Sequence, residues 1–473
     1  MTTPIHPPLL NELRAALGNE AVATDAATLT AYAYDGTWAE QRPAVVLHPR
    51  TTEHVSTILR LADQHRIPIV PRGAATGLAG GAVPIENSWC LNLARMNRIL
   101  TISPEDSIVI TQPGVVTATL QKAVEATGLM YPPDPASLYM CTIGGNVSTN
   151  AGGPRCLKYG VTADYVLGLE VVLPGGQVMH VGGRTIKNVA GYNLKQLIVG
   201  SEGTLAVVTE ITLRLTPKPK AQLVALAAFA KLSAACEAVG KILASGITPL
   251  VTEIMDADVI RAIDDLQQSR KQARTLPLDA DALLLVGVDG DADQVERDIA
   301  TIAAVLTKSG ATSVQQARTP EESEALWEAR RSVSPAIIRL GNSRFGEDIV
   351  VPRSKIPQMV ELTKQIGKQY DLTIAVFGHI GDGNLHPNIV CDRRDAEVMK
   401  RVEAASHAIF DAAIELGGAI SGEHGIGLLK TQYMPKSVDP VALDMMKSIK
   451  KLIDPNNIMN PGKKLGVRDA VTW

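Results

Sequence analysis

The fold is decided by glycine-rich stretches, and the first reads PRGAATGLAGG at residues 71–81. It directly follows the apolar run IPIV, which predicts a strand. Glycines let backbone N–H groups curl toward an anion, because no side chain blocks the approach. Gly73 and Gly77 have three residues between them, and no Gly-Lys-Ser/Thr follows, so the stretch fits neither GxGxxG nor a Walker loop. Taken alone, it is either a phosphate-binding loop or a tight structural turn, and a nicotinamide Rossmann site is disfavoured.

Two further segments have the same character. CTIGGNVSTNAGG, at residues 141–153, follows YPPDPAS and precedes KYG, and GSEGTLAVVT occupies residues 200–209. Glycine and small hydrogen-bonding side chains make a poor core but a good cradle for a polar, planar cofactor. Several such cradles in one part of the chain favour a dinucleotide pyrophosphate as the ligand.

The bulk composition limits the possible classes of protein. A chain of 473 residues is longer than a single hydrophobic core usually supports, so two or three domains are expected. The net charge of −3 and the lack of a long basic run argue against a nucleic-acid partner. The five cysteines form no CxxC pair, which argues against a disulfide framework and an iron–sulfur cluster in this chain. With no secretory or membrane-length segment, we expect a cytoplasmic protein, with peripheral association at the inner face of the membrane left open.

Along the chain, apolar periodicity predicts three parts. The first contains a β-α-β unit (strands at 43–47 and 67–70, a helix at 52–65) and a hairpin turning at PGG, residues 174–176. The Pro- and Lys-rich TPKPKA at 216–221 reads as a linker. Two successive β-α-β halves then predict a ferredoxin-like antiparallel sheet with helices on one face. The third part adds a helix near 356–370, two strands around GHIGDGNLHPNIV and a helix at about 396–416.

A second group of candidate functional residues lies in the third part of the chain. GHIGDGNLH, at residues 378–386, carries two histidines seven residues apart, and GEHG at 422–425 places Glu423 beside His424. Glycines with Asp382 and Asn384 predict a tight turn, which can bring both imidazoles to one centre. Two His and one Glu suit Zn²⁺, or Mn²⁺, Fe²⁺ or Co²⁺, with positions left open for a substrate. Ordinary loop histidines are the alternative reading.

The order and the residues of these motifs resemble those of a known family. The three glycine-rich segments resemble the FAD-binding domain of the vanillyl-alcohol oxidase flavoprotein superfamily. RTIKNVAGYNLKQLIVGSEGTLAVVTEITLRL resembles its D-2-hydroxy-acid dehydrogenase branch, which includes glycolate oxidase catalytic subunits, D-lactate dehydrogenases and D-2-hydroxyglutarate dehydrogenases. The resemblance covers about residues 44–463.

This resemblance implies an α+β fold in two domains. A two-part FAD-binding domain spans residues 1–220, with its core at about 40–217. A ferredoxin-like substrate domain with a helical C-terminal part spans residues 221–473, and carries the metal site and a C-terminal segment that contacts the flavin. No His or Cys lies within PRGAATGLAGG, which favours non-covalent FAD.

The resemblance also assigns residues to roles. The implied cofactor-binding residues are Pro71, Arg72, Gly73, Ala74, Ala75, Thr76, Gly77, Leu78, Pro135, Ser137, Thr142, Gly144, Gly145, Asn146, Ser148, Thr149, Asn150, Gly153, Gly160, Glu202, Gly203, Val207 and Asn460. The implied metal ligands are His379, His386 and Glu423, and the implied substrate-binding residues are Arg330, Ser334 and Asn388. Beside a Lewis-acidic cation, His424 is the natural base for the substrate hydroxyl while hydride leaves Cα for flavin N5.

One departure from the branch bears on the substrate. Dehydrogenases for 2-hydroxyglutarate carry a lysine shortly before the strand that ends in proline, and Gly346 stands at that place here. A second carboxylate would lack its counter-charge unless Arg344 supplies it. The sequence therefore predicts oxidation of a monocarboxylate, glycolate or D-lactate, with D-2-hydroxyglutarate or D-malate as the alternative.

The reduced flavin needs an electron acceptor, and the family implies a quinone, a carrier protein or an iron–sulfur partner subunit. A homodimer or a heteromeric complex is consistent with this. A sugar or aldonolactone oxidase is disfavoured because such relatives need no metal motif. A non-catalytic electron-transfer subunit is disfavoured because the His/Glu pattern is intact.

Overall fold

The computed structural model describes residues 7–271 and 276–465. In chain order its α-helices are α1 (Pro7–Leu17), α2 (Ala26–Ala31), α3 (Thr52–His65), α4 (Thr117–Glu125), α5 (Ile143–Thr149), α6 (Cys156–Tyr159), α7 (Leu194–Ile198), α8 (Leu232–Ala244), α9 (Ala257–Ser269), α10 (Ala292–Lys308), α11 (Pro320–Arg331), α12 (Val333–Ile337), α13 (Ile356–Gln369), α14 (Ala396–Glu415), α15 (Met434–Ser437) and α16 (Pro440–Ile453). None of the helices in these ranges is both long enough and apolar enough to cross a membrane.

The strands alternate with these helices through most of the chain. They are β1 (Val22–Ala23), β2 (Val45–Leu47), β3 (Ile69–Arg72), β4 (Trp89–Asn92), β5 (Ile99–Ser103), β6 (Ile108–Thr111), β7 (Leu129–Met130), β8 (Val166–Val172), β9 (Val178–Gly182), β10 (Val207–Arg214), β11 (Thr216–Pro217), β12 (Ala221–Phe229), β13 (Val251–Asp256), β14 (Ala282–Gly290), β15 (Ala311–Gln316), β16 (Ser343–Gly346), β17 (Ile349–Val350), β18 (Thr373–His379) and β19 (Asn384–Cys391).

The described residues divide into two compact units. The first unit contains residues 7–153, 161–218 and 423–465, and the second contains 154–160 and the described part of 219–422. One change of unit, between residues 218 and 219, falls inside the predicted linker. The return of residues 423–465 to the first unit differs from the sequence prediction, which assigned everything after residue 220 to the substrate domain. The physical reason is backbone pairing, because Ile69 donates its N–H to Ile458 O at 2.7 Å.

The first sheet of the first unit has the strand order β1-β2-β4-β3. β2 and β3 both run parallel to β4, and α3 connects them, as the predicted β-α-β unit requires. α3 begins where Thr51 accepts a hydrogen bond from His54 N and ends at Arg66 in the left-handed region. Its apolar stripe is buried in a core that also holds Trp89 and Met459. This core fixes the end of β3, from which the first glycine-rich stretch begins.

A second, antiparallel sheet completes the first unit, with the order β5-β6-β10-β8-β9. β8 and β9 form the hairpin predicted around the PGG turn. Gly175 and Gly176 have φ of +85° and +90° there, which other residues adopt only under strain.

The second unit is built on one eight-stranded sheet. Its order is β15-β12-β14-β13-β18-β19-β16, and β17 also pairs with β19. The first four strands have the antiparallel ferredoxin-like order that the two β-α-β halves predict. The strands of the predicted third part extend this same sheet from the edge of β13.

One face of this sheet carries most of the polar residues singled out by sequence. Directly paired residues on neighbouring strands point to the same face. The pairs Glu253↔His379, Phe377↔His386 and Gly346↔Asn388 therefore share a face. Around Met255 and Phe377 the same face is covered by α9, α11 and α12 through an apolar cluster.

Candidate active site

A cavity in the first unit is walled by the three glycine-rich segments. The predicted cofactor-binding residues that line it are Pro71, Arg72, Gly73, Ala74, Ala75, Thr76, Gly77, Leu78, Pro135, Ser137, Thr142, Gly144, Gly145, Asn146, Ser148, Thr149, Glu202 and Gly203. Glu423 and His424 line the same cavity. Residues far apart in sequence therefore form one concave surface.

Glycine is needed where these segments meet. A Cβ added to Gly73 would lie 2.4 Å from Thr142 Oγ1, and one added to Gly144 would lie 2.4 Å from Pro113 Cβ. At Gly203, with φ +70°, an added Cβ would lie 3.0 Å from the ring of Pro71. Gly77 differs, because an added Cβ there meets nothing within 4 Å and would project into open space. Most of these glycines thus serve close backbone packing around the cavity.

The first loop offers a run of backbone donors. Within residues 7–271 and 276–465, no group accepts a hydrogen bond from the backbone N–H groups of residues 74–78. Ala75 lies in the left-handed region, with φ +55°, which turns the chain within this run. Successive N–H groups in such a turn form an anion-binding concavity, so the donor chemistry fits a pyrophosphate.

Glu202 holds the loop that contains His424. Its Oε1 accepts from Ile426 N at 2.9 Å and its Oε2 from Gly427 N at 2.7 Å, and Lys464 Nζ lies 3.2 Å from Oε1. The sequence resemblance placed Glu202 among the cofactor-binding residues. In the structure its side chain, though part of the cavity wall, is engaged by the backbone that follows His424.

Asn460 ties two of the glycine-rich segments together. Its amide Nδ2 donates to Gly81 O at 3.1 Å and to Glu202 O at 2.7 Å. Lys463, which is 2% exposed, donates to Gly81 O at 2.9 Å and also to Val83 O. Asn460 does not line the cavity. Its hydrogen bonds hold together the two glycine-rich segments that form the cavity wall.

Four other predicted cofactor-binding residues lie outside the cavity wall. Asn150 ends α5 in the left-handed region, and its Oδ1 accepts from Ala163 N at 2.8 Å. Gly153 packs against Asp134, where an added Cβ would lie 2.5 Å from the carbonyl oxygen. Val207 is buried in the core of the first unit. Gly160 ends α6 and belongs to the second unit.

In the second unit, His379 is bonded to a buried carboxylate. Its Nδ1 lies 2.5 Å from Glu253 Oε1, and the two residues are 6% and 0% exposed. Burial raises the pKa of Glu253, but the charges of His379 and Arg330 and their hydrogen bonds outweigh it and hold the pKa at about 2. Glu253 is therefore an ionised acceptor.

His386 lies beside His379 on the adjoining strand. Their ring centroids are 5.2 Å apart in a T-shaped arrangement. Asp348 Oδ1 lies 3.8 Å from His386 Nδ1 and accepts from Asn384 Nδ2 at 2.7 Å. Asp348 Oδ2 accepts from Gly422 N at 2.9 Å and so fixes the backbone leading into Glu423.

The predicted turn between β18 and β19 is present. Asn384 N donates to Asp382 Oδ1 at 3.3 Å, and Gly383 has φ +92°. The turn lets both histidine-bearing strands present their rings to the same face.

Arg330 and Ser334, two of the predicted substrate-binding residues, have different surroundings. Arg330 Nε donates to Glu253 Oε2 at 2.6 Å, and its guanidinium carbon lies 4.9 Å from the centroid of the Phe377 ring. Ser334, on α12, is exposed. Arg331, the other arginine at the end of α11, pairs with Glu324 and Glu328 at the surface.

Asn388, the third predicted substrate contact, lies next to Arg344. Asn388 Nδ2 donates to His386 O at 2.8 Å, and its Oδ1 accepts from Arg344 Nη1 at 3.4 Å. Gly346 is exposed opposite Asn388 on the edge strand β16. Burial lowers the pKa of Arg344, and no carboxylate among the described residues forms an ion pair with it.

Two residues of this face, Glu253 and Asp348, were missed by the sequence analysis. Glu253 is the only charged residue of the strand stretch VTEIM, and Asp348 follows Glu347 directly before the apolar run IVV. A carboxylate in a buried strand is costly unless it is paired, so an isolated acid in such a run is itself a signal of a polar site. Their partners lie far along the chain and could not be identified from spacing.

The sequence matches two family descriptions that together span most of the chain. These are "FAD binding domain" over residues 43–182 and "FAD linked oxidases, C-terminal domain" over residues 218–464. The glycolate oxidase subunit GlcD of Bacillus subtilis is 47% identical over 433 residues, which is 91% of each chain. A D-lactate dehydrogenase of Anaerostipes hadrus is 36% identical over 430 residues, 90% of each chain.

Solved structures share the fold at low identity. A crystal structure of p-cresol methylhydroxylase with bound substrate superimposes with a TM-score of 0.83 at 19% identity, covering 98% of this chain and 99% of that one. This likeness supports the architecture alone.

The glycine-lined cavity, with its run of free backbone donors, and the matched FAD-binding domain define the class as an FAD-dependent oxidoreductase. Within that class the chain belongs to the FAD-linked oxidase family.

Proposed function

We propose that this protein oxidises a small D-2-hydroxy acid, glycolate or D-lactate, to the 2-oxo acid. The observation that carries the proposal is that Glu423 and His424 line the same cavity as the three glycine-rich segments. A cofactor cradle thereby includes an imidazole, whose ring nitrogen can accept a proton. Two relatives, a glycolate oxidase subunit and a D-lactate dehydrogenase, point to the same substrate class.

FAD would be held without a covalent bond. The backbone N–H groups of residues 74–78 supply donors suited to its pyrophosphate. No His or Cys occurs in that loop, and the cysteine that lines the cavity, Cys141, is only 5% exposed and contacts Thr117 Oγ1. When bound, FAD would supply the acceptor for the hydride that leaves Cα of the substrate. Flavin that stays with the precipitate after acid denaturation would contradict non-covalent binding.

A divalent metal, with Zn²⁺ preferred and Mn²⁺, Fe²⁺ or Co²⁺ as alternatives, would be bound by His379, His386 and Glu423. Support comes from the donor chemistry, because two buried imidazoles lie side by side and one is bonded to a carboxylate, as metal-ligating histidines usually are. When bound, the metal would supply a Lewis acid that lowers the pKa of the substrate hydroxyl.

The remaining roles belong to the chain itself. His424 would accept the hydroxyl proton on a ring nitrogen as the C–H bond breaks. Asn388 would donate to the substrate carboxylate, and Arg330 and Ser334 are the further proposed contacts. Arg330 already offers its Nε to Glu253, so only its Nη groups would be available to a substrate.

Electrons would then pass to a quinone, a carrier protein or an iron–sulfur partner subunit. A homodimer or a heteromeric complex is part of this proposal, as is a cytoplasmic location, with peripheral association at the inner face of the membrane as the alternative.

A second candidate substrate class is a dicarboxylate such as D-2-hydroxyglutarate or D-malate. The observation that favours it is Arg344, a half-buried cation beside Asn388 with no carboxylate partner among the described residues. An unpaired, partly buried charge is costly, so an anion at this position would be stabilising.

A substrate panel tests both candidates. Steady-state rates with an artificial electron acceptor are measured for glycolate and for the D and L forms of lactate, malate and 2-hydroxyglutarate. Our proposal expects the highest kcat/KM for glycolate or D-lactate and little activity with L-lactate. A preference for a dicarboxylate, abolished by Arg344→Met and kept in the surface control Arg331→Met, would establish the second candidate instead.

A further inference from the structure

Glu253 is a carboxylate with no access to solvent in the middle of β13. It is directly opposite His379 on β18 and contacts the ring at 2.5 Å, and its second oxygen accepts from Arg330 Nε at 2.6 Å. Burying a charge is costly unless it is paired and hydrogen-bonded, and Glu253 satisfies both conditions with residues of the polar face.

The contact fixes the ring of His379 in one orientation. An imidazole that binds a metal is neutral and carries one proton, and since Glu253 Oε1 lies 2.5 Å from Nδ1 while Oε2 accepts from Arg330, that proton is on Nδ1. The lone pair is then on Nε2. The other tautomer would place the Nδ1 lone pair against the carboxylate of Glu253, and a ring flipped by 180° would place Cδ2–H there, so both lose the hydrogen bond made at 2.5 Å.

We propose that Glu253 is a positioning residue that fixes the tautomer and orientation of His379 so that Nε2 is offered to a divalent cation. This inference rests on the metal of the proposed function. Arg330 acts as the second tether, since it holds the other carboxylate oxygen and lies over the Phe377 ring.

A purely structural ion pair would not need the imidazole, and β13 provides such a pair for comparison. Asp256 is 1% exposed, and its carboxylate binds Lys364 Nζ and accepts from Val376 N at 2.7 Å. Asp256 is three positions after Glu253, an odd spacing, so their side chains leave opposite faces of the strand. Asp256→Asn is therefore a matched control that removes an equally buried charge away from the histidines.

The test measures Co²⁺ affinity of the flavin-containing protein after metal removal with a chelator. Wild type, Glu253→Gln, Glu253→Asp and Asp256→Asn compete with a chelating indicator for Co²⁺, and FAD content and thermal midpoint are recorded for each. We expect Glu253→Gln to bind Co²⁺ about 10–100-fold more weakly, the range found for the loss of partners of metal-ligating histidines. Glu253→Asp keeps the charge but shortens the side chain by one methylene, so it too should lose several-fold.

The outcomes separate the inference from the proposed function. Failure of the wild type to bind Co²⁺ would refute the proposed metal site, and the inference with it. Wild-type affinity in Glu253→Gln would refute the inference alone, and wild-type affinity in Glu253→Asp would show that charge, not orientation, matters. If Glu253→Gln does not fold, Glu253→Asp decides the question. Asp256→Asn should bind Co²⁺ like the wild type whatever its thermal midpoint.

Discussion

At the residue scale, several side chains that sequence assigns to ligands are engaged by the protein itself. Glu202 is the clearest case, because both of its oxygens accept from the backbone of residues 426–427. A motif such as GSEGT shows that a segment belongs to a cofactor domain. It does not show that the partner of Glu202 lies more than 220 residues further along the chain, since no local pattern encodes that pairing.

Replacing Glu202 should loosen the loop that carries His424. In Glu202→Gln one of the two N–H groups loses its acceptor, at a cost of about 1–3 kcal/mol for a buried donor. Hydrogen exchange at Ile426 and Gly427 should accelerate by about ten-fold or more, while exchange in β8 stays unchanged. Wild-type exchange rates at both amides would contradict the assigned role.

At the scale of elements, local signals specify most helices and strands. α3 follows its predicted limits because Thr51 caps its start and its apolar stripe has helical spacing. α9 was not predicted, although Asp256 caps it and Val259, Ile260, Ile263 and Leu266 are buried along one side. The mostly polar run DDLQQSRKQAR begins in its second half and interrupts the helical spacing of apolar residues that would predict a helix. The membership of β18 and β19 in the ferredoxin-like sheet depends on pairing across more than 100 residues, which periodicity does not predict.

Lys364 joins several of these elements, and its loss should be destabilising. From α13 its ammonium binds Asp256 and Asp258 at the start of α9, and donates to Ile374 O in β18. Lys364→Met leaves the buried carboxylate of Asp256 without its cation, which costs about 3–5 kcal/mol. Urea denaturation should show this loss, and adding Asp256→Asn should recover part of it. A change below about 1 kcal/mol would contradict the argument.

At the scale of the whole molecule, the chain's last described segment completes the domain that its first third begins. Residues 423–465 belong to the first unit and pair with β3 just before the first glycine-rich loop. The closing NPGKK motif was expected to approach the flavin. Asn460 of this motif donates to Gly81 O and Glu202 O, and these contacts support two walls of the cavity.

Removing this support should weaken flavin binding without abolishing folding. Asn460→Ala removes the donor to Glu202 O and leaves Gly81 O with Lys463 alone, and we expect the dissociation constant of FAD to rise about ten-fold, equivalent to about 1.4 kcal/mol. Flavin fluorescence during dialysis measures the release. Asn457→Ala is a suitable control because Asn457 also has positive φ in this turn. Equal FAD affinity of Asn460→Ala and the wild type would refute the supporting role.

The central claim is that a 2-hydroxy acid reduces the bound flavin with His424 as the base. The most direct measurement is the flavin absorbance of the purified protein under anaerobic conditions after glycolate or D-lactate is added. The account predicts rapid bleaching in the wild type, and in His424→Ala a rate at least about 100-fold lower with FAD content unchanged. Absence of bleaching in the wild type with any D-2-hydroxy acid would contradict the account.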